Sequence, residues 1–486
     1  MKSIEKVIDG IDYNILGEPP NAISSIANNS KQVENGSLFF AIKGTKTDGH
    51  KYITDAIDNG AAAIVVEEQQ PDIDSAQILV DDSRKALSRA AKNFYDDPTR
   101  KLNVIGITGT NGKTSTVYIL NRIAFLSEIP AGTIGTLGYS ILGEYHNCSL
   151  TTPDVIKLQN IFQQMVNKGV KTVFMEVSSH AIALHRVRDI HFQGVCFLNL
   201  SQDHLDFHET MDEYAATKAR LFSMVDQKGF AICNIDSHYA QKFIDNCKAN
   251  LLTFSMEKDA DYIWQKVNSY HNTIDGLIKT PKNEIPINSK LSGKFNLQNI
   301  LAAVAIADNI NIESKKIKNA FRKIKPVPGR IQEISLEHGP RVFIDYAHTP
   351  HAIINVLDEL SELVTEDGRL ITVYGCGGDR DRKKRPSMTE AVEKYSDLSV
   401  LTTDNPRFEK PEDIINDAKQ GFSGEHNYKI IVDREKAINW SLKESNENDI
   451  VAILGKGHET YQEIKGKRYP FSDFKVVRRW QEKNAN

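Results

Sequence analysis

Cysteine is scarce in this chain and follows no pattern. The five cysteines, Cys148, Cys196, Cys233, Cys247 and Cys376, form no C-x-x-C pair and no zinc spacing, which excludes a disulfide scaffold or a thiolate metal site. Cys196 and Cys233 lie inside apolar runs and read as small core residues of a protein kept in a reducing compartment. No apolar stretch approaches the length that spans a bilayer, and Met1 to Lys6 carries no secretory apolar region. The expectation is a cytoplasmic protein without membrane contact. Neither charge is in large excess: 60 Lys and Arg against 64 Asp and Glu leave a net charge of −4. That balance gives no reason to expect nucleic acid and makes any anion site local. With 40% hydrophobic and 26% charged residues, disorder and fibrous structure are excluded as well.

What the chain does have is the run from Ile105 to Ser115, I-G-I-T-G-T-N-G-K-T-S. Apolar residues lead into Gly109, Thr110, Asn111 and Gly112, then Lys113, Thr114 and Ser115, then the helical run Val117 to Leu120. Strand, tight turn and helix N-terminus in that order hold polyphosphate. The glycines admit backbone N–H groups to phosphate oxygens, Lys113 adds charge, and the Thr114 hydroxyl can ligate Mg²⁺. The usual phosphate-loop pattern wants glycine where Ile107 stands, which points away from ordinary GTPases and toward ligases carrying T-G-T-N-G-K-T. A glycine turn with an incidental lysine is the bland alternative, disfavoured by the flanking strand and helix.

The rest of the chain alternates apolar runs with helical stretches. Residues 1–98 read as a small α/β domain, with strands at 37–42, 61–66 and 76–80 and helices at 50–59 and 83–95. Residues 99–328 form a larger, mostly parallel unit around the phosphate loop, ending at the stiff hinge Lys325 to Arg330. From 329 to 486 the pattern restarts as a second doubly wound, Rossmann-like sheet. Strand after strand ends in a polar residue, including Glu176, Asn199, Asp345 and Asp404. In open parallel sheets these ends gather around the ligand. Glu176 is the expected Mg²⁺ carboxylate, with a helix-capping acid as the alternative. His204 is a metal candidate or a structural loop histidine, and Lys218 by itself reads as a helix-surface lysine. The cationic run from Gly377 to Pro386 is an anion site or a solvated basic turn. Asp404-Asn405-Pro406-Arg407 pairs an acid with a base, as an amino-acid ligand requires.

Taken together, these stretches resemble the Mur ligase family. The resemblance rests on Thr108 to Ser115, Glu176 to Val187, Asp203 to Asp206, Lys218, Gly293 to Asn299, Pro328 to Arg330, Asp345 to Pro350 and Gly378 to Arg380, which cover nearly the whole chain in family order. Thr151-Thr152-Pro153, Asp404 to Arg407 and Gly455 to Glu459 are similar to members that add meso-diaminopimelate to UDP-N-acetylmuramoyl-L-alanyl-D-glutamate. The resemblance implies a UDP-end domain, a central ATPase and a C-terminal amino-acid domain, with ATP as co-substrate and Mg²⁺ as cofactor, in a monomer. It implies that Lys218 is a carbamate holding magnesium with His204 and Glu176. Ser30, Thr151, Thr152, Ser178 and Arg186 match contacts to the muramoyl dipeptide. Asn299, Arg330 and Asp345 match adenosine-side contacts. Arg380, Asp404, Asn405, Pro406, Arg407, Gly455 and Glu459 match the diaminopimelate pocket. Two residues depart from the pattern: Leu184 stands where relatives often carry glutamine, and Lys31 where they often carry arginine. The rivals are the lysine-adding relative, a folylpolyglutamate synthetase and a nucleotide-binding module without ligase chemistry.

Overall fold

Three sheets, one after another along the chain, make up the computed structural model, which describes residues 1–484 apart from 45–46, 149, 271–272, 292, 335, 337 and 425–426. The first has five strands in the order Asn14–Leu16, Gln77–Leu79, Ala61–Val66, Ser37–Phe40 and Ser25–Ala27, parallel except at Asn14–Leu16. The helix expected over 50–59 is shorter. Asp48 accepts the His50 N–H and opens a 3₁₀ turn at Gly49–Tyr52, so the α-helix is confined to Ile53–Asp58.

The central sheet has eleven strands. Seven neighbours run parallel: Ala131–Gly135, Thr172–Glu176, Asn103–Thr108, Phe192–Phe197, Val225–Asn234, Asn250–Ser255 and Tyr262–Tyr270. Antiparallel strands extend both edges. Asn103–Thr108 lies between Thr172–Glu176 and Phe192–Phe197, so the phosphate loop emerges with Glu176 on one side and Asn199 on the other. Helices Lys113–Leu126 and Lys294–Asn309 cover one face, burying Ile119, Leu120, Ile123, Leu301 and Val304 against Ile105 and Ile107. Near-continuous apolar strands are what a sheet covered on both faces requires.

The third sheet has six strands in the order Gln332–Ile334, Arg341–Asp345, Ile450–Leu454, Leu370–Cys376, Leu398–Thr403 and Tyr428–Ile430, parallel except at Gln332–Ile334. A separate hairpin, Tyr461–Ile464 with Lys467–Pro470, follows it. The solvated-turn alternative for the cationic run is overturned at its end. The helix that follows begins at Lys384, and Lys384 and Arg385 are buried. Arg385 spends its guanidinium on Glu409 and Asp417 at 2.7 Å each, so it braces the fold instead of facing a ligand. Among the described residues no helix is long and apolar enough to cross a membrane.

Candidate active site

The phosphate loop turns on Gly112, whose φ of +86° only glycine adopts readily and where an added Cβ would collide with the Asn299 side-chain oxygen. Lys113 opens the helix and lays its Nζ across the loop, donating to the Gly109 and Thr110 carbonyls at 2.8 Å each. Burial lowers its pKa, while Glu176 and Asp203 pull the other way. Asn199 locks the far wall: its side-chain oxygen accepts the Asn111 N–H at 2.9 Å. Thr110 and Ser201 are tied by hydrogen bonds in both directions, at 3.1 and 3.0 Å.

Glu176 is buried beneath the loop. It accepts the Thr114 hydroxyl at 3.0 Å and both the N–H and hydroxyl of Thr136, at 2.8 and 3.0 Å. Thr136 also meets Thr151 at 3.2 Å, which carries the network onward. Thr152 donates to the Glu176 carbonyl at 2.9 Å and accepts the Ser178 N–H at 3.1 Å, and Arg186 donates to the Thr152 carbonyl at 3.1 Å. Thr114, Glu176, Thr151, Thr152, Ser178 and Arg186 therefore form one connected wall. Ser30 stands apart in the 3₁₀ turn Ser30–Gln32 between two strands of the first sheet, lining a cavity of about 890 Å³ together with Arg84.

On the other side of the loop Lys218 is fully buried, contrary to the surface position its own surroundings in the sequence imply. Its Nζ donates to the Gly109 carbonyl at 3.0 Å and lies 4.8 Å from the Tyr214 ring centroid. Burial, helped by Lys113, pushes its pKa well below that of a free lysine. His204 is pushed down to about 3 by burial, against the opposing pull of Asp203. Asp203 stays well below the usual carboxylate range: burial works against this, but His204, Lys384 and His348 outweigh it. Among the described residues no three His, Cys, Asp or Glu side chains group as a metal site.

The central unit and the third sheet meet across a cavity of about 510 Å³ lined by Gly112, Asn299, Arg330 and Asp345. Arg330 leans on the Tyr346 ring at 4.9 Å and points a terminal nitrogen at the Thr114 hydroxyl, 3.4 Å away. Asp345 accepts the Ile331 and Ala347 N–H groups at 2.7 and 2.6 Å, which fixes the entry to the third sheet. Lys384 reaches back to Asp203 at 3.4 Å. These contacts close the third sheet onto the second.

At the far end Asp404 is buried beside Gly455, where φ is +110° and a Cβ would lie 2.7 Å from the carboxylate. Burial raises the Asp404 pKa, but Lys456 and Arg434 outweigh it and hold the carboxyl ionised. Asn405 donates to Glu459 at 2.9 Å and accepts Lys456 at 3.0 Å, and Lys456 pairs with Glu459 at 2.7 Å. Arg407 donates to the Gly378 carbonyl at 2.6 Å. Arg380 is exposed at the rim, where its charge acts on His180. Sequence reasoning missed Thr136, Lys384 as a partner of Asp203, His348 and Lys456. Lys384 carried a signal as part of the cationic run, and His348 and Lys456 lie within the family stretches Asp345 to Pro350 and Gly455 to Glu459; Thr136 carried none.

Three family models match the chain: the catalytic domain of the Mur ligase family over residues 22–95, the Mur ligase middle domain over 107–307 and the Mur ligase glutamate ligase domain over 329–457. UDP-N-acetylmuramoyl-L-alanyl-D-glutamate–2,6-diaminopimelate ligase of Caldanaerobacter subterraneus subsp. tengcongensis is 42% identical, covering 97% of both chains. The enzyme of that name from Aquifex aeolicus is 42% identical over 94% of this chain and 93% of its own. A solved ligase of the same name superposes with a TM-score of 0.68 at 31% identity, over 100% of this chain and 99% of its own. The MurF ligase of Thermotoga maritima in complex with ADP shares the fold at 19% identity and a TM-score of 0.62, over 94% of this chain and 97% of its own.

Proposed function

Because this chain belongs to the Mur ligase family, we propose that it joins meso-diaminopimelate to the D-glutamyl side-chain carboxylate of UDP-N-acetylmuramoyl-L-alanyl-D-glutamate, with hydrolysis of ATP, in cytoplasmic assembly of peptidoglycan precursors. One observation carries the reading: Lys384–Asp203 and Arg330–Thr114 hold the third sheet against the phosphate-loop side, and the Asp404–Arg407 tetrad follows a strand end of that sheet. The names of the relatives at 42% identity support it. In this reading residues 1–98 hold the UDP end at the Ser30 cavity, 99–328 hold ATP and the muramoyl dipeptide, and 329–486 hold the incoming amino acid.

The residues under the loop fit a hard divalent cation, since Thr114 and Glu176 offer oxygen donors 3.0 Å apart. Mg²⁺ bound there, with His204 and a carbamate on Lys218, would offset charge on the terminal phosphates. Lys218 suits that modification because burial favours its neutral amine, the form that adds CO₂. The chain's own part begins with Lys113 and the loop amides, which hold the γ-phosphoryl group beside the D-glutamyl carboxylate carried by the Thr152–Ser178–Arg186 wall. The carboxylate oxygen takes the phosphoryl group, giving an acyl phosphate and ADP. The diaminopimelate amine then attacks the activated carbonyl, an amide forms, and inorganic phosphate and a proton leave. The Lys384–Asp203 and Arg330–Thr114 contacts keep the two walls together and exclude water from the acyl phosphate.

Arg407 disfavours the lysine-adding alternative. Of its five N–H donors, one is given to Gly378 and another faces Glu463, which leaves a fork for a second carboxylate that lysine lacks. Phosphate release should require ATP, the muramoyl dipeptide and diaminopimelate together. Equal release without the amino acid would refute the ligase reading.

A further inference from the structure

The Asp404–Arg407 tetrad is not self-supporting; the hairpin Tyr461–Ile464 with Lys467–Pro470 is sewn to it. Arg407 has a φ of +52°, the left-handed region that a non-glycine residue occupies only where its surroundings hold it. Here the hairpin holds it from both sides. The Arg407 N–H donates to the Glu463 carbonyl at 3.0 Å, and the Arg407 carbonyl accepts the Lys465 N–H at 2.6 Å, pairing Arg407 with Ile464 as a parallel bridge. The Glu463 side chain faces the Arg407 Nε at 3.5 Å, and its N–H donates to Asn405 Oδ1 at 3.0 Å. Gln462 donates to the Asp404 carbonyl at 2.8 Å. Five contacts from Gln462, Glu463 and Lys465 therefore converge on Asp404, Asn405 and Arg407.

We propose that this hairpin is a specificity element, and that Glu463 is a positioning residue that aims Arg407 at the second carboxylate of the incoming diamino acid. The proposal rests on the diaminopimelate reading above. An arginine discriminates a carboxylate well only when its planar fork is already aligned, because a free side chain must first lose its rotamer freedom. Glu463 faces the Nε edge and Gly378 accepts from one terminal nitrogen, so the guanidinium is held at two of its three nitrogens and the other terminal nitrogen stays open among the described residues. Glu463 needs no contact with the substrate to do this. Its effect should fall on amino-acid affinity and leave the phosphoryl-transfer end alone.

The test uses the full-length enzyme and the variants Glu463→Gln, Glu463→Asp, Arg407→Ala and the Glu463→Gln/Arg407→Ala double variant. Glu463→Gln should raise the KM for meso-diaminopimelate on the order of tenfold, with the KM for ATP and for the muramoyl dipeptide within about twofold of wild type. Glu463→Asp should recover part of the loss. The double variant should be no worse than Arg407→Ala, because the two residues act as one unit. An unchanged diaminopimelate KM in Glu463→Gln, or effects that multiply in the double variant, would overturn the proposal. Should Glu463→Gln fold poorly by thermal melting, Gln462→Met serves instead, with a smaller rise in the same KM expected and no change overturning the proposal. A wild-type enzyme that does not take meso-diaminopimelate at all would instead defeat the functional reading on which the proposal rests.

Discussion

In the proposed reading, the ATP end and the amino-acid end of the site are built on different principles. The phosphate end is a backbone site: one uninterrupted stretch, Gly109 to Ser115, supplies the loop, and a single added charge, Lys113, lies over it. The amino-acid end is a side-chain site assembled from three stretches far apart in sequence, around Gly378, Asp404–Arg407 and Gly455–Glu463, and held by charge pairs. The difference follows from the ligands. Every nucleoside triphosphate presents the same oxygens, which amides on a helix N-terminus satisfy. An amino acid must be told from its neighbours by a few charges, which need acids and bases held in register.

If the phosphate end depends on one charge, removing that charge should have the largest effect. Lys113→Ala should lower turnover by about 10³-fold or more, a loss of roughly 4 kcal/mol of transition-state stabilisation, with the melting temperature nearly unchanged. Phosphate release near the wild-type rate would break the comparison at its first term.

The amino-acid end should instead be vulnerable in stability. Arg434 and Asp473 form a fully buried two-point pair at 2.8 Å behind Asp404, and Arg434 also caps the Leu454 carbonyl at 2.9 Å. Arg434→Leu strands a buried carboxylate and should destabilise the third sheet by about 3–5 kcal/mol, measured as a lowered melting temperature. A variant as stable as wild type would show that the pair is not what holds this end.

Arg407→Ala should act on affinity and not on stability. Losing the fork leaves the second carboxylate of diaminopimelate unpaired in a partly desolvated site, worth about 2–4 kcal/mol, or roughly 30- to 1000-fold in KM. The KM for ATP should stay within about twofold, and measuring both constants on one preparation checks the division of labour between the two ends.

The seam between the ends should show the smallest effect, in its response to pH. Burial pushes His348 and His458 down to about 4, against a free value near 6.5. Between those values the unfolded chain binds more protons than the folded one, so stability is fully present above about pH 6.5 and falls as the pH drops toward 4. By pH 5 the loss should be about 2 kcal/mol per histidine, and His348→Asn should flatten the melting-temperature profile over that window. A profile unchanged by that substitution would mean that His348 takes up its proton equally in the folded and unfolded states.

The same contrast explains what could be read from the sequence. The phosphate loop was legible because its chemistry is contiguous and flanked by a strand and a helix of ordinary pattern. The parallel cores were legible from runs such as Val104–Ile107 and Ile450–Leu454, which are buried in the fold. Lys218 was not: on its helix it looks like any surface lysine, and its full burial depends on Tyr214 and Gly109 packing around it. Asp203 and Lys384 are 181 positions apart, so only the closing of the third sheet on the second brings them together. Glu463 lies in a short hairpin whose residues are half exposed, with no periodicity to single it out.

The central claim is that the side-chain end of the site selects a diamino acid with a second carboxylate. The most direct test supplies the purified enzyme with ATP, Mg²⁺, UDP-N-acetylmuramoyl-L-alanyl-D-glutamate and a panel of meso-diaminopimelate, L-lysine, L-ornithine and D-alanine, and weighs the products. The account predicts one new mass, that of the muramoyl tripeptide ending in diaminopimelate, with L-lysine used at least about 30-fold less efficiently. Comparable yields of the lysine and diaminopimelate products would contradict it.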